Sequence, residues 1–142
     1  LPYVKNLYYL DVNFYRYFIG RDDQSVNESI MIKRLDQQYR VTRIMLDVYN
    51  NTVIENKHTD DAMVHYFDMM MCVSSILSIL EGSEQRLKDK EKLWQDVLES
   101  NPVLYQKVRK SLLGRTMNLP GKVGRKCSVI GYALAQKIFG FN

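Results

Sequence analysis

Between Met69 and Leu80 the chain reads Met-Met-Met-Cys-Val, two serines, then Ile-Leu-Ser-Ile-Leu. At helical spacing this stretch is apolar around much of its circumference, and such a helix has to be enclosed by other elements. Asp60 and Asp61 suit the positive end of a helix, and Gly82 suits its stop, so a helix is expected from Thr59 or Asp60 to Glu81. The uninterrupted apolar run is about a dozen residues, against ~20 needed to cross a bilayer. We therefore expect a central, buried helix rather than a membrane span. Methionines at this density also suit a metal or an adaptable binding groove, but packing by flexible side chains is the simpler use.

The neighbouring segments supply helices to enclose it. From Val26 to about Asn50, Ile32, Leu35, Tyr39, Leu46 and Tyr49 keep helical spacing, and Val41, Ile44, Met45 and Val48 broaden the stripe. Thr52 to Thr59 reads as a connection, with His58 as a solvated loop residue. A third helix from Ser83-Glu84 to about Glu99 carries Leu87, Trp94, Val97 and Leu98. Asn101-Pro102 is a cap followed by proline in the first turn, opening a fourth helix with Leu104, Val108 and Leu112 that Gly114 is expected to close. Leu119-Pro-Gly121 turns the chain into a last helix, Lys122 to Phe139, with Val123, Cys127, Ile130, Leu134 and Ile138 on one face. Tyr3–Leu10 and Phe14–Ile19 read as two short strands joined at Asp11-Val12-Asn13. Two strands alone are marginal in water, so the pair must lean on helices or belong to a larger sheet. The expected fold is mainly α: a small bundle of about five helices preceded by a short β pair.

A length of 142 residues with 46% hydrophobic content suits one ordinary core. Cys72 and Cys127 have no Cys or His at metal spacing and read as free thiols in a reducing compartment. Leu1-Pro-Tyr-Val-Lys-Asn6 lacks the basic and long apolar regions of a signal peptide. Charge is unevenly placed. Residues 1–99 hold twelve Lys and Arg against sixteen Asp and Glu, whereas 100–142 hold eight and no acid, which together make the chain's +4. Such asymmetry suits an anionic partner for the C-terminal third, a membrane surface or a nucleic acid.

The densest motif is Phe14-Tyr-Arg-Tyr-Phe-Ile-Gly-Arg-Asp-Asp-Gln-Ser-Val-Asn-Glu28. An aromatic β-prone run meets a glycine turn, and Ser25 and Glu28 have capping-box spacing. Arg16 and Arg21 beside a helix start could hold a phosphate. The same residues could equally form a strand-to-helix corner in which the arginines pair with Asp22, Asp23 or Glu28.

Tyr15-x-Tyr17-x-Ile19-Gly20-Arg21-x-x-Gln24-Ser25-Val26 resembles the end of the catalytic domain in bacterial family 2 glycosyltransferases. Those enzymes have the nucleotide-diphospho-sugar (GT-A) fold. The resemblance implies that Arg21 and Ser25 face the donor phosphates and that Tyr15 and Tyr17 line the donor site. Phe18 stands where many relatives carry arginine. The remainder is similar to the helical tail of a Gram-positive-type subgroup, so residues 1–24 would end a catalytic domain and 25–142 form a C-terminal helical domain. With Leu1 in place of an initiator Met, this implies a piece of a longer protein.

The sequence has no Asp-x-Asp for a metal-bound sugar nucleotide, no glycine-rich phosphate loop and no His-Glu-x-x-His. Asp89-Lys-Glu91 is a poor substitute, and His65, Tyr66 and Asp68 fall on different helix faces. No catalytic or metal-binding residue is expected in this chain. The resemblance places Mg or Mn and the catalytic base in a catalytic domain upstream. It implies an enzyme that moves sugar from a nucleotide-sugar donor to a cell-envelope or polysaccharide acceptor in the cytoplasm, peripheral on the inner face of the plasma membrane. The alternative is a non-catalytic helical module that binds an anionic membrane surface or a partner protein. Lys122, Arg125, Lys126 and Lys137 are the candidate anion-facing residues, and the basic residues form no recognisable nucleic-acid reader.

Overall fold

The computed structural model describes residues 3–16 and 27–139, in which seven helices follow one another. They are α1 (Glu28–Lys33), α2 (Leu35–Asn50), α3 (Lys57–Glu81), α4 (Glu84–Ser100), α5 (Pro102–Lys110), α6 (Leu112–Met117) and α7 (Gly121–Phe139). α3 packs against every one of the others, as its all-round apolar composition requires. By length and composition it is the one described helix able to cross a membrane, and here it forms the axis of a bundle.

The core gathers Phe67, Met71 and Leu77 of α3 against Leu35, Tyr39 and Leu46 of α2, Leu93, Trp94 and Val97 of α4, and Leu104 and Val108 of α5. Of the methionine cluster, Met71 is fully buried in this core and Met69 is exposed, so core packing accounts for Met71. Three serines on α3 let neighbouring helices approach and accept their polar tips. Ser74 meets Thr42 at 3.0 Å, Ser78 meets the Tyr39 hydroxyl at 2.6 Å, and Ser75 accepts from the Trp94 indole at 3.0 Å. Among the described residues no buried side-chain polar atom lacks a hydrogen bond, as a well-formed interior requires.

Several boundaries differ from expectation. The helix expected to run unbroken from Val26 starts at Glu28 and breaks at Arg34. Asn27 is the N-cap, its Oδ1 accepting from Ser29 N at 3.0 Å, so Glu28 is the first helical residue and not the third position of a box begun at Ser25. α3 starts two residues early because Asn56 caps it, with His58 in its first turn donating its backbone N–H to Asn56 Oδ1. The fourth expected helix divides at Ser111, whose hydroxyl caps α6 by accepting from Gly114 N at 2.8 Å. Leu112 is consequently exposed, and Gly114 is not a stop. Its Cα lies so close to the α5 end that an added Cβ would stand 1.9 Å from the Val108 carbonyl oxygen. Gly82 does end α3, at φ 77° in the left-handed region.

The β pair is absent among the described residues. Residues 3–16 carry no strand, and residues 17–19 of the second expected strand lie outside the described part. The segment's local bonds are two-residue turns, Val12 N to Leu10 O at 2.9 Å and Phe14 N to Val12 O at 3.1 Å. With no third strand alongside, an isolated pair has little to hold it.

Candidate functional site

α7 presents the most distinctive surface. Its inward side is narrow: Gly124 and Ser128 are buried, Ser128 Oγ donating to Thr116 O at 2.6 Å, and Val129 and Tyr132 lean on the core. The apolar face seen in the sequence points the other way. Val123 is 75% exposed, Ile130 60%, Leu134 54% and Ile138 74%, with Cys127 exposed among them. At about 3.6 residues per turn, Lys122, Lys126 and Lys137 run down one flank of that stripe. Lys122, Arg125 and Lys126 line an open groove of about 510 Å³ together with Ile79, Val129 and Ile130.

Five cations elsewhere, Arg43, Arg86, Lys88, Lys92 and Lys107, are engaged in ion pairs among the described residues. Arg86 holds Asp36 and Asp89, Arg43 holds Asp96 at 2.8 Å, and Lys107 holds Asp60 at 2.8 Å. Among the described residues, Lys122, Arg125, Lys126 and Lys137 have no carboxylate within ion-pair distance. Arg109 lies 6.0 Å above the Trp94 ring and is accounted for there.

Of the expected donor-site residues, Arg21, Ser25 and Tyr17 lie outside the described part. Tyr15 is described and exposed. The remaining candidates are structural. Asp60 accepts from the Tyr49 hydroxyl at 2.6 Å as well as from Lys107, joining α2, α3 and α5. The Lys107 ammonium, and after it the Tyr49 hydroxyl, hold the Asp60 carboxyl below its ordinary value. Burial, and after it Asp60, pushes Tyr49 up to about 12. Asp68 accepts from Ser111 Oγ at 2.9 Å, and burial raises its carboxyl. Burial, with Asp68 second, lifts the Cys72 thiol to about 11, the opposite of an activated nucleophile. Asp89 is bound by Arg86, and Lys90 donates to Asn118 Oδ1 at 3.0 Å.

A second concavity was missed by sequence reasoning. Ile44, Met45 and Val48 of α2 face Met63, Tyr66 and Phe67 of α3 across an apolar cleft of about 440 Å³, with Tyr3 at its edge. Its signal was the breadth of the α2 stripe, wider than one partner helix covers.

Among the described residues no three His, Cys, Asp or Glu side chains are grouped to hold a metal ion, so no step through Mg or Mn is derived from this chain. Compared with known proteins, the chain matches no family model, no curated protein and no solved structure.

Proposed function

We propose that this chain is the C-terminal helical part of a glycosyltransferase acting on a nucleotide-sugar donor and a cell-envelope or polysaccharide acceptor, with the metal-binding and base residues supplied by another part of the enzyme. The sequence motif from Tyr15 to Val26 suggests the family. The structural observation that supports it is the state of the segment before the bundle. Tyr3, Val4, Leu7, Tyr8, Tyr9, Leu10, Val12, Phe14 and Tyr15 are all between 54% and 91% exposed. Nine large apolar side chains in so short a stretch make a patch that water does not favour. The bundle beside them has closed its own core without them. A segment this exposed suits a further apolar surface, and β-prone aromatic residues fit the edge of a larger sheet. On this reading the segment belongs to the end of the catalytic domain, and Arg21 and Ser25 follow at the donor phosphates with Tyr15 and Tyr17 lining the site.

The test is to assay the intact gene product and this chain separately with sugar nucleotides and Mg or Mn. The intact product is expected to turn a donor over, and this chain alone is not. Arg21→Ala in the intact product is expected to weaken donor use through loss of a guanidinium fork. Turnover by the chain alone, or an intact product with no Asp-x-Asp domain, would overturn the proposal.

A further inference from the structure

The outward face of α7 combines three features that the bundle does not use. It carries an aliphatic stripe from Val123 to Ile138, more than half exposed at each of Val123, Ile130, Leu134 and Ile138. The stripe is about 22 Å long at the helical rise. Lys122, Lys126 and Lys137 edge it on one flank, and α7 contains no acidic residue. Beside the stripe the groove between Ile79 and α7 sets Lys122, Arg125 and Lys126 around the apolar side chains of Val129 and Ile130.

We infer that α7 is an interfacial helix which lies in the plane of an anionic lipid surface, its aliphatic stripe inserted and its lysines at the phosphate level. An in-plane helix requires an apolar face, cations bordering it and anionic lipid to meet them. The groove suits a lipid phosphate, with cations at its rim and an apolar wall where an acyl chain begins. A second copy of this chain is a poor occupant, because pairing two α7 faces sets lysines against lysines with no carboxylate on either helix to meet them. Charge complementarity favours the anionic surface. The inference does not depend on the glycosyltransferase reading.

The test uses the whole chain with vesicles of phosphatidylcholine, alone or mixed with phosphatidylglycerol. Sedimentation with the mixed vesicles is expected at low salt, with release as ionic strength rises and little binding to phosphatidylcholine alone. Lys122→Gln, Lys126→Gln and Lys137→Gln together should lower partitioning by roughly a hundredfold. Ile130→Ser with Leu134→Ser should also lower it at least tenfold. All five positions are solvent-facing, so helicity and Tm should stay unchanged in both variants. An environment-sensitive fluorophore on Cys127, within the stripe, should shift to the blue on binding. Three results would each overturn the inference: equal binding to neutral and mixed vesicles, no binding to either, or Ile130 and Leu134 replacements that bind like the parent chain. A concentration-dependent dimer that the two serine replacements abolish would also overturn it, assigning the face to a second copy.

Discussion

The Trp94 indole N–H of α4 donates to the Ser75 hydroxyl of α3 at 3.0 Å, while Tyr105 of α5 meets the same indole edge-on with ring centroids 6.0 Å apart. One small polar residue on the central helix thus fixes the orientation of the largest side chain in the core. Ser75→Ala leaves the buried N–H unpaired and should cost about 1 to 3 kcal/mol in chemical denaturation. Trp94→Phe removes the donor as well, so adding Ser75→Ala to it should cost distinctly less. Additive losses would show that the bond does not couple the two helices.

Gly114→Ala forces a methyl group against the Val108 carbonyl oxygen, which lies 1.9 Å from the Cβ position. Backbone cannot yield as a flexible side chain can, so we expect a loss of about 3 kcal/mol and a weakened α5–α6 junction. Gly131→Ala is the control, since no atom lies within 4 Å of its Cβ position on the exposed side of α7. It should stabilise the helix by about 0.5 to 1 kcal/mol. Thermal melts of the two variants should move in opposite directions.

The Tyr49–Asp60–Lys107 cluster works within a pH window. Asp60 titrates below its ordinary 3.8 when folded, so its contribution is present above that value and fades as pH falls through the folded value. Tyr49 titrates near 12 instead of its ordinary 10.0, so its contribution is complete below pH 10 and fades as pH rises toward 12. Asp60→Asn should flatten the acid limb of stability against pH, and Tyr49→Phe the alkaline limb. Unchanged limbs in urea titrations at both extremes would remove the cluster from the account.

Lys90 has the opposite sign. Burial, with Arg109 and Arg125 nearby adding to it against the opposing pull of Glu91, brings its ammonium down to about 8 from 10.5. The unfolded chain therefore holds the proton more tightly, and this group makes the fold more stable as pH rises from about 8 to 10.5. Lys90→Met should stabilise the protein at pH 7 by on the order of 1 kcal/mol, allowing for solvent at a partly exposed group. That advantage should shrink by pH 10, which melts at the two pH values will show.

The helices and their sides were legible where one physical rule dominated. The all-round apolar run placed α3 at the centre, Gly82 ended it, and Ser83 and Asn101 opened the helices after them. What failed were choices between rival local signals. Ser25 and Asn27 both suit a cap, and spacing alone does not choose between them. Ser111 interrupts a stripe that continues evenly into Leu112, because a serine in midhelix and a serine at a cap are written identically. Gly114 has the look of a terminator, but close approach of two backbones leaves no mark on sequence periodicity. For α7, the hydrophobic pattern marked one face correctly and could not say whether that face turns inward or out. Arg21, Ser25 and Tyr17, on which the donor-site reading rests, lie outside the described residues, so that reading stands on the sequence motif.

The central position of α3 also bears on how the chain reaches this arrangement. It lies mid-chain and docks with the helices immediately before and after it across short connections, and also with the more distant α1, α5, α6 and α7. The local α2–α3 and α3–α4 pairings are of the kind that goes with folding in microseconds to milliseconds. The early ensemble should be a hairpin of α3 with α2 or α4, on which the basic C-terminal helix assembles last.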